Sequence, residues 1–552
     1  MRFRMFILLI LSPIAPALAA DLPTTDTPVG RLALPVIADS VVVSPDSSRL
    51  AFTAKAGDPT LEEKGVFINP KVTNPLNDNA RPALNPICLY IDDKSTISFD
   101  TMTLPVFSPN SKRLGFAGLH DKTWQLVLDN KTLTQDADDV PGIPIVFSPD
   151  SAHAAWVILK GQQYLLTVDD RHWPPIAASA MGLLTFSPDS RHVAAVVNIR
   201  GAWTLYVDGA PLPLPPAPGS PVLPATARSA SPPSRGPVPT APAPRFVRFG
   251  QFSWRPDSSG LAYYAGFTSA AWQLFSQSLA GTITFASKPC DGIMKNAPVF
   301  SPDARQLAFG VSTRNKWTFV TDPAPTPAAT THTATAPAPT TATAPAPSGP
   351  FDQILMESVS YYQPAGVPNQ PFTLLYVAQQ NKKWRLYVND RPTDDAFDAI
   401  ISGSFVLSPD LHHYAFAGIR DGQTFVIKDG ATLARHNECG ASTFAFSPDS
   451  QHLAYAAGSG AAWFVCVDGT PGAPFTGLGA SPIAFSPDSS RVAFVALTAQ
   501  KTWRLIIGKD AGLQSKPYDA FLKGSHVTWR PDGTVVTIAI QKKVATRIEA
   551  RP

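Results

Sequence analysis

One five-residue phrase recurs through the chain and restricts the folds that this sequence can adopt. An aromatic or apolar residue precedes Ser-Pro-Asp-Ser or a close variant, in copies that begin at Val43, Phe107, Phe147, Phe186, Trp254, Phe300, Leu407, Phe446, Phe485 and Trp529. A degenerate copy around Tyr362 brings the count to eleven units. Evenly spaced copies lie about 40 residues apart, a period typical of one four-stranded propeller blade. The sequence therefore predicts an all-β propeller fold with about eleven blades.

Each unit has the same internal order. Proline at the second turn position with Asp beside it is typical of a type I turn, and a short apolar strand follows. After a polar loop, an aromatic residue opens another strand that ends in Asp-Gly or Asn-Asp, which favours a hairpin. We interpret the repeated Asp as a turn residue, because chemistry needs one asymmetric site whereas every blade needs a turn. We interpret the repeated Trp as packing between blades, with sugar stacking as the alternative, in Trp124, Trp203, Trp272, Trp317, Trp384, Trp463 and Trp503.

This pattern resembles the WD-type repeats of TolB-like bacterial β-propellers, in which an aromatic-Ser-Pro-Asp turn precedes a short Ala-Phe strand. The phrase Phe485-Ser-Pro-Asp-Ser489, followed by Val492-Ala-Phe494, carries the resemblance most clearly. The resemblance implies the fold but no single function. Propellers of this type serve as docking platforms, as ligand-binding domains and as gating domains of peptidases.

Three insertions interrupt the period and suggest a division into domains. Residues 56–86 lengthen the first unit, residues 211–244 carry 13 prolines, and residues 323–350 carry 8. Such Pro-rich stretches are expected to stay extended or disordered. Because propellers usually have 4–8 blades, we predict two propellers, residues 21–322 and 351–552, joined by 323–350. The alternative is one large or open ring, since both Pro-rich stretches begin at the same phase of the repeat. If a propeller closes by adding a strand from the opposite terminus of the chain, the boundary between the two predicted domains would shift.

The N-terminus has the pattern of a cleavable signal peptide over residues 1–20. Arg2 and Arg4 precede a short apolar run, and Ala17-Leu-Ala19 supplies an A-x-A cleavage site. The run is shorter than the ~20 residues of a transmembrane anchor. No Cys follows the cleavage site to carry a lipid. We therefore expect an exported protein, periplasmic or secreted, that is not embedded in the membrane.

Charge and cysteine content exclude several classes of function. The formal net charge is +3, which provides no electrostatic footprint for nucleic acid. The four cysteines are Cys88, Cys290, Cys439 and Cys466, and no C-x-x-C pair is present. We expect at most one or two disulfides, of undetermined pairing, with buried unpaired thiols as the alternative. No metal and no cofactor is predicted.

One set of side chains could form a ring on a propeller face. Four residues after the turn proline, several units place a His or an Arg: His153, His192, His413, His452, Arg49, Arg113 and Arg491. One interpretation of such a ring is a site that binds an anion or responds to pH. The alternative is a solvated polar residue at the start of a strand.

Enzyme motifs are missing from the sequence. It has no G-x-S-x-G, no H-E-x-x-H, no Walker A motif and no G-x-G-x-x-G ahead of a helix. We therefore predict a non-catalytic binding or interaction scaffold with a protein or glycan partner. The alternatives are a propeller enzyme that acts on glycans, as a lyase or hydrolase, and a purely structural spacer.

Overall fold

The described part of the chain is built entirely from β-strands. The computed structural model describes residues 20–31, 42–55, 87–91, 94–142, 145–213, 246–295, 298–323, 348–364, 371–479, 482–510, 512–522, 525–542 and 544–552. Within these ranges no helix is formed, and thus no helix that could cross a membrane. The predicted signal peptide up to residue 19, the insertion 56–86 and the central parts of both Pro-rich stretches lie outside the described residues.

The strands form eleven antiparallel sheets, and each sheet is one blade. We number the blades along the chain and the strands from the first, which lies nearest the ring centre, to the fourth at the rim. The strands of blades 1 to 4 are Val42–Val43, Leu50–Lys55, Ile87–Ile91 and Lys94–Phe99; Thr101–Met102 with Val106–Phe107, Leu114–His120, Thr123–Leu128 and Lys131–Ala137; Ile145–Phe147, Ala154–Lys160, Gln163–Val168 and Arg171–His172 with Ile176–Ala177; and Ala180–Phe186, Val193–Ile199, Ala202–Val207 and Ala210–Pro211.

The next four blades follow the same order. Their strands are Arg248–Trp254, Gly260–Gly266, Gln273–Ser278 and Ile283–Ala286; Gly292–Ile293 with Val299–Phe300, Gln306–Thr313, Lys316–Pro323 and Ser348–Phe351; Gln353–Tyr362, Thr373–Gln380, Lys383–Val388 and Arg391–Pro392; and Ala399–Ile400 with Val406–Leu407, Tyr414–Arg420, Gln423–Lys428 and Ala431–His436. In several blades the first strand is split into two short segments that pair with the same second strand.

The last three blades also use the N-terminus. Their strands are Glu438–Cys439 with Ala445–Phe446, Leu453–Ser459, Ala462–Val467 and Thr470–Phe475; Gly477–Leu478 with Ala484–Phe485, Val492–Leu497, Trp503–Ile507 and Leu513–Gln514, with Ala20–Asp21 added in parallel; and Ala520–Phe521 with Thr528–Trp529, Val535–Gln541, Val544–Ala550 and Thr24–Arg31. The all-β propeller and its eleven repeats are therefore confirmed.

The repeated Ser-Pro-Asp-Ser phrase forms the turn between the first and second strands. In blade 8 the N–H of Leu411 donates to the carbonyl of Ser408, and the Asp410 carboxylate accepts the N–H of His412 at 2.9 Å. The fourth turn residue has positive φ, 61° at Leu411 and 66° at Ser450. The predicted role of the repeated Asp as an acceptor of nearby backbone N–H groups is confirmed.

The hydrophobic core lies between the blades rather than in one centre. Eleven clusters of buried side chains are present, and each joins one blade to the next. Each large apolar side chain buried there contributes roughly 1.5–3 kcal/mol. The predicted packing role of the repeated Trp is confirmed for those that pack on these clusters, namely Trp124, Trp203, Trp272, Trp317, Trp384 and Trp503.

The last blade packs against the first, which closes the ring. Leu50 and Phe52 of blade 1 share a buried cluster with Leu522 and Ile538 of blade 11. The N-terminal strand Thr24–Arg31 pairs with Val544–Ala550 and becomes the outermost strand of blade 11. A strand borrowed from the far terminus was one of the alternatives for closure, and the structure adopts it.

The prediction of two propellers is not confirmed. Residues 323–350 were expected to join two separate rings. Instead, Lys316–Pro323 and Ser348–Phe351 are paired strands of one blade, so this stretch leaves and re-enters blade 6. Blade 6 also packs on blade 7, where the rings of Phe319 and Tyr376 stack with centroids 4.4 Å apart. Buried side chains thus join blade 6 to blade 7, as they join every other pair of neighbouring blades. The eleven blades therefore form one ring.

Candidate functional site

The predicted ring of His and Arg residues occupies equivalent positions at the start of the second strands. Each described histidine of the set binds the hairpin Asp of its own blade through Nδ1, at 2.6–2.7 Å, as in His413–Asp429 and His192–Asp208. The same pairing joins His153 to Asp169 and His452 to Asp468. Arg113 makes the corresponding contact with Asp129 at 2.9 Å.

These side chains also reach the next blade. The His413 ring stacks on Phe446, and the guanidinium groups of Arg49 and Arg113 lie over Phe107 and Phe147, 5.3 Å from each ring centroid. The guanidinium of Arg113 also donates to the carbonyl of Ala152 at 2.9 Å.

Arg491 holds the same position in blade 10, where the hairpin residue is Gly508 and supplies no carboxylate. Among the described residues no contact joins one member of this set to another. The arrangement therefore fastens neighbouring blades, and most of its side chains are paired with a carboxylate of their own blade.

A different feature, which sequence reasoning missed, breaks the symmetry of the ring on its inner wall. In blade 8, Ile400 and Val406 pair with Gly418 and Ala415, and after the Ile401 N–H, which donates to the Ala417 carbonyl, residues 402–405 form an inner loop. The hydroxyl of Ser404 bridges the gap and accepts the N–H of Ala417 at 3.0 Å. In blade 6, Ile293 and Val299 pair with Val311 and Ala308, and of the residues between them the structure describes 294, 295 and 298.

Blades 4 and 5 have short inner loops, as does blade 2, where only residues 103–105 lie between the paired residues Met102 and Val106. Met181 and Leu184 pair with Val197 and Ala195, which leaves only Gly182 and Leu183 unpaired. In blade 5 only residues 250–251 are unpaired. Blades 4 and 5 are therefore adjacent blades with short inner loops, and Ile293, Met294 and Lys295 of blade 6 lie beside them.

A cavity lies at these short loops, with a volume of about 370 Å³. Its apolar walls come from three neighbouring blades, and the polar side chains at its edge are those of Gln251 and Lys295. The lining residues are Gly182, Leu183, Val196, Trp203, Phe249, Gly250, Gln251, Ile293, Met294 and Lys295. No carboxylate, His or Tyr is among these described lining residues. The volume falls within the range of small-ligand pockets, about 300–1,000 Å³.

One exposed apolar side chain belongs to this cavity. Among the described residues four large hydrophobic side chains are exposed, and one of them, Leu183 at 41%, lines the cavity. A partly solvent-exposed apolar side chain in an apolar hollow is available for contact with a ligand.

The cysteines do not contribute a reactive site. All four are free and buried, so the predicted alternative of unpaired thiols is the one found, and no disulfide forms. Burial raises the pKa of Cys439 to about 12 and that of Cys466 to about 11. Thiols with such pKa values stay protonated and inert near neutral pH. Within the described residues no group of His, Cys, Asp and Glu is arranged to hold a metal ion.

Comparisons with known proteins support the fold but identify neither a family nor a function for this chain. No protein-family model and no curated protein sequence matches the chain. Among solved structures, the Dos1 propeller is 9% identical, covers 66% of this chain and 90% of its own, and has a TM-score of 0.30. The putative TolB from Agrobacterium tumefaciens is 12% identical over 42% of this chain and 80% of its own, with a TM-score of 0.22.

The β-propeller domain of the trilobed protease from Pyrococcus furiosus is 10% identical over 64% of this chain and 91% of its own, with a TM-score of 0.25. The common property is the β-propeller fold. Similarities at this level carry no argument about activity, and membership of the TolB-like family is not confirmed.

Proposed function

We propose that this protein is an exported, non-catalytic propeller that binds a partner through the cavity on the inner wall of blades 4 to 6, which we call the inner-wall cavity. One observation carries the proposal: blades 4 and 5 are adjacent blades with short inner loops, and an apolar hollow is lined by these loops and by residues 293–295 of blade 6. Blade 2 has a similarly short loop, so the hollow at two adjacent short loops marks the site, and the loop length alone does not.

The chemistry of the cavity supports binding rather than turnover. Its walls present Trp203, Phe249 and Ile293, whose burial against an apolar group is favourable by about 25 cal/mol per Å². Hydrolysis of a glycan typically needs a pair of carboxyl groups beside the bond, and elimination by a lyase needs a general base such as His or Tyr. The described lining residues supply none, so the glycan-enzyme alternative has no support at this site.

Export is supported by the N-terminal pattern of basic, apolar and small residues. The first described strand begins at Ala20, where the predicted signal peptide ends. Leu22, two residues after the predicted signal peptide, is buried between blades 10 and 11. A periplasmic or secreted location remains part of the proposal.

A neutral fluorescent probe tests the cavity directly. We expect N-phenyl-1-naphthylamine to bind saturably, because the cavity excludes water from an apolar group. A side chain at Gly182 would project toward Val196 and Trp203 with its Cβ 3.8 Å or more from them, so Gly182→Leu fills the cavity with little strain. Gly182→Leu should weaken probe binding at least about tenfold.

Gly142→Leu is the matched control, because its Cβ would meet nothing within 4 Å and it is not a lining residue. Probe binding by Gly142→Leu should equal that of the wild type. Leu183→Asp is a second cavity variant at an exposed position, for use if Gly182→Leu does not fold. Equal probe binding by the wild type and both cavity variants would overturn the proposal.

A further inference from the structure

We propose that the ligand of the inner-wall cavity is a small hydrophobic anion, a carboxylate carried on an aromatic or branched apolar group, whose charge is bound by Lys295. The inference rests on the proposed function and adds the chemical class of the ligand. It follows from three properties of the lining: one cation, aromatic walls and a volume within the small-ligand range.

Lys295 is the single charged residue among those that line the cavity. It is exposed, and among the described residues its amine forms no ion pair. The nearby carboxylate of Asp291 accepts the backbone N–H of Arg314 at 2.8 Å and so holds the turn of its own blade. The cavity therefore has one available positive charge at its edge, which favours a ligand with one negative charge.

The second nearby cation is already engaged. The guanidinium of Arg248 lies 4.1 Å from the centroid of the Trp272 ring and donates to the carbonyl of Ser269 at 2.8 Å. A phosphorylated or polyanionic ligand needs several free donors, usually including a bidentate Arg. One Lys and the amide of Gln251 instead match a monocarboxylate, to which each can donate.

The remaining lining sets the size and character of the apolar part. Trp203 and Phe249 offer aromatic surfaces, and Ile293 and Met294 form the wall from blade 6. A volume of about 370 Å³ is at the lower end of the small-ligand range. The hollow therefore has the size of a small-molecule site.

Three ligands with the same phenyl group but different charges distinguish the effect of charge from that of shape. We would measure dissociation constants for 3-phenylpropanoate, 3-phenylpropanamide and 3-phenylpropylamine by ligand-detected NMR titration of the full chain. The expected order of affinity is carboxylate, then amide, then amine. Lys295→Met keeps an apolar stem but removes the charge, and should weaken carboxylate binding about tenfold while the amide is unchanged. The control Lys288→Met removes an exposed lysine that does not line the cavity and should change neither.

The outcomes distinguish the two proposals. If the carboxylate and the amide bind equally to the wild type and to Lys295→Met, but Gly182→Leu abolishes both, the anion inference is wrong and the cavity remains a binding site. If the amine binds best, the anion inference is likewise wrong. If Gly182→Leu leaves all three affinities unchanged, both proposals fail.

Discussion

The backbone N–H of Asp410 in blade 8 donates to the hydroxyl of Ser450 in blade 9, with 3.1 Å between nitrogen and oxygen. An equivalent hydrogen bond joins the N–H of the third turn residue in one blade to the hydroxyl of the fourth turn residue in the next blade. Five further pairs form it: Asp46–Ser111, Asn110–Ser151, Asp150–Ser190, Asp189–Ser258 and Asp449–Ser489. The repeated serine therefore links blades, in addition to its place in the turn.

Removal of one of these hydroxyls should destabilise the ring. Ser450→Ala leaves the Asp410 N–H without a partner, which costs about 1–3 kcal/mol. Alanine itself fits the backbone, because Ala304 has φ 57° at the same position of blade 6. We expect a lower thermal midpoint and faster hydrogen exchange at the Asp410 amide. Ser459→Ala, at an exposed position in the same blade, is the control. Unchanged exchange at Asp410 would refute the role of this bond.

Acid should weaken the turns. Hydrogen bonds from the first Ser of each turn lower the pKa of Asp150, Asp189, Asp449 and Asp488, the last to about 2. A carboxyl group whose pKa is lower in the folded state contributes stability above pH 3.8, and that stability is lost as the pH falls toward 2. We expect the thermal midpoint to fall steadily between pH 4 and pH 2.

Asp488→Asn isolates one of these carboxyl groups. Asn110 shows that Asn fits, since its side-chain oxygen accepts the N–H of Lys112 at 3.1 Å and the hydroxyl of Ser108 at 2.8 Å. The variant should be less stable than the wild type at pH 7 and indistinguishable from it at pH 2. A difference that persists at pH 2 would show that the charge of Asp488 is not responsible.

Asp322 in blade 6 has the opposite pH dependence. Burial raises its pKa to about 6, against a weaker lowering by Arg255. Because its folded pKa is raised, its contribution to stability is greatest below pH 3.8 and is lost as the pH rises through 6. Asp322→Asn should therefore raise the thermal midpoint at pH 7.5, with no gain at pH 4. A constant gain across this range would indicate an effect of packing instead of charge.

Limited proteolysis can distinguish a single propeller ring from two separate propellers. The Pro-rich stretches are expected to be cut first by a broad-specificity protease. Residues 323 and 348 end and begin paired strands of blade 6, so a chain cut between them should stay in one particle. We expect the nicked protein to elute from a sizing column with the intact chain and to melt in one transition. Separation into fragments of about 300 and 200 residues would instead support two propellers.

The inner-wall cavity shows why part of the site escaped prediction. In the sequence, the only trace of the cavity is that the segment before the repeated turn is two residues shorter in blade 4 than in blade 8. Ser179 precedes the first turn serine, Ser187, by 8 residues, whereas Asp398 precedes the equivalent Ser408 by 10. This difference can be interpreted only once Ser179 and Asp398 are known to be equivalent. The structure shows the equivalence, because the backbone N–H of each residue donates to a carbonyl near the end of the second strand of its blade. The ring of His and Arg was visible because it repeats, and for the same reason it is structural.

The sequence by itself determined the β-propeller fold, the eleven blades, the turn in each and the packing role of the tryptophans. These properties are local, because each repeat of about 40 residues contains its own strands and turns. Only the tertiary structure decided that the ring is single and closed. Closure depends on pairing between Thr24–Arg31 and Val544–Ala550 and on the core between blades 6 and 7, contacts between residues far apart in sequence that no local period encodes.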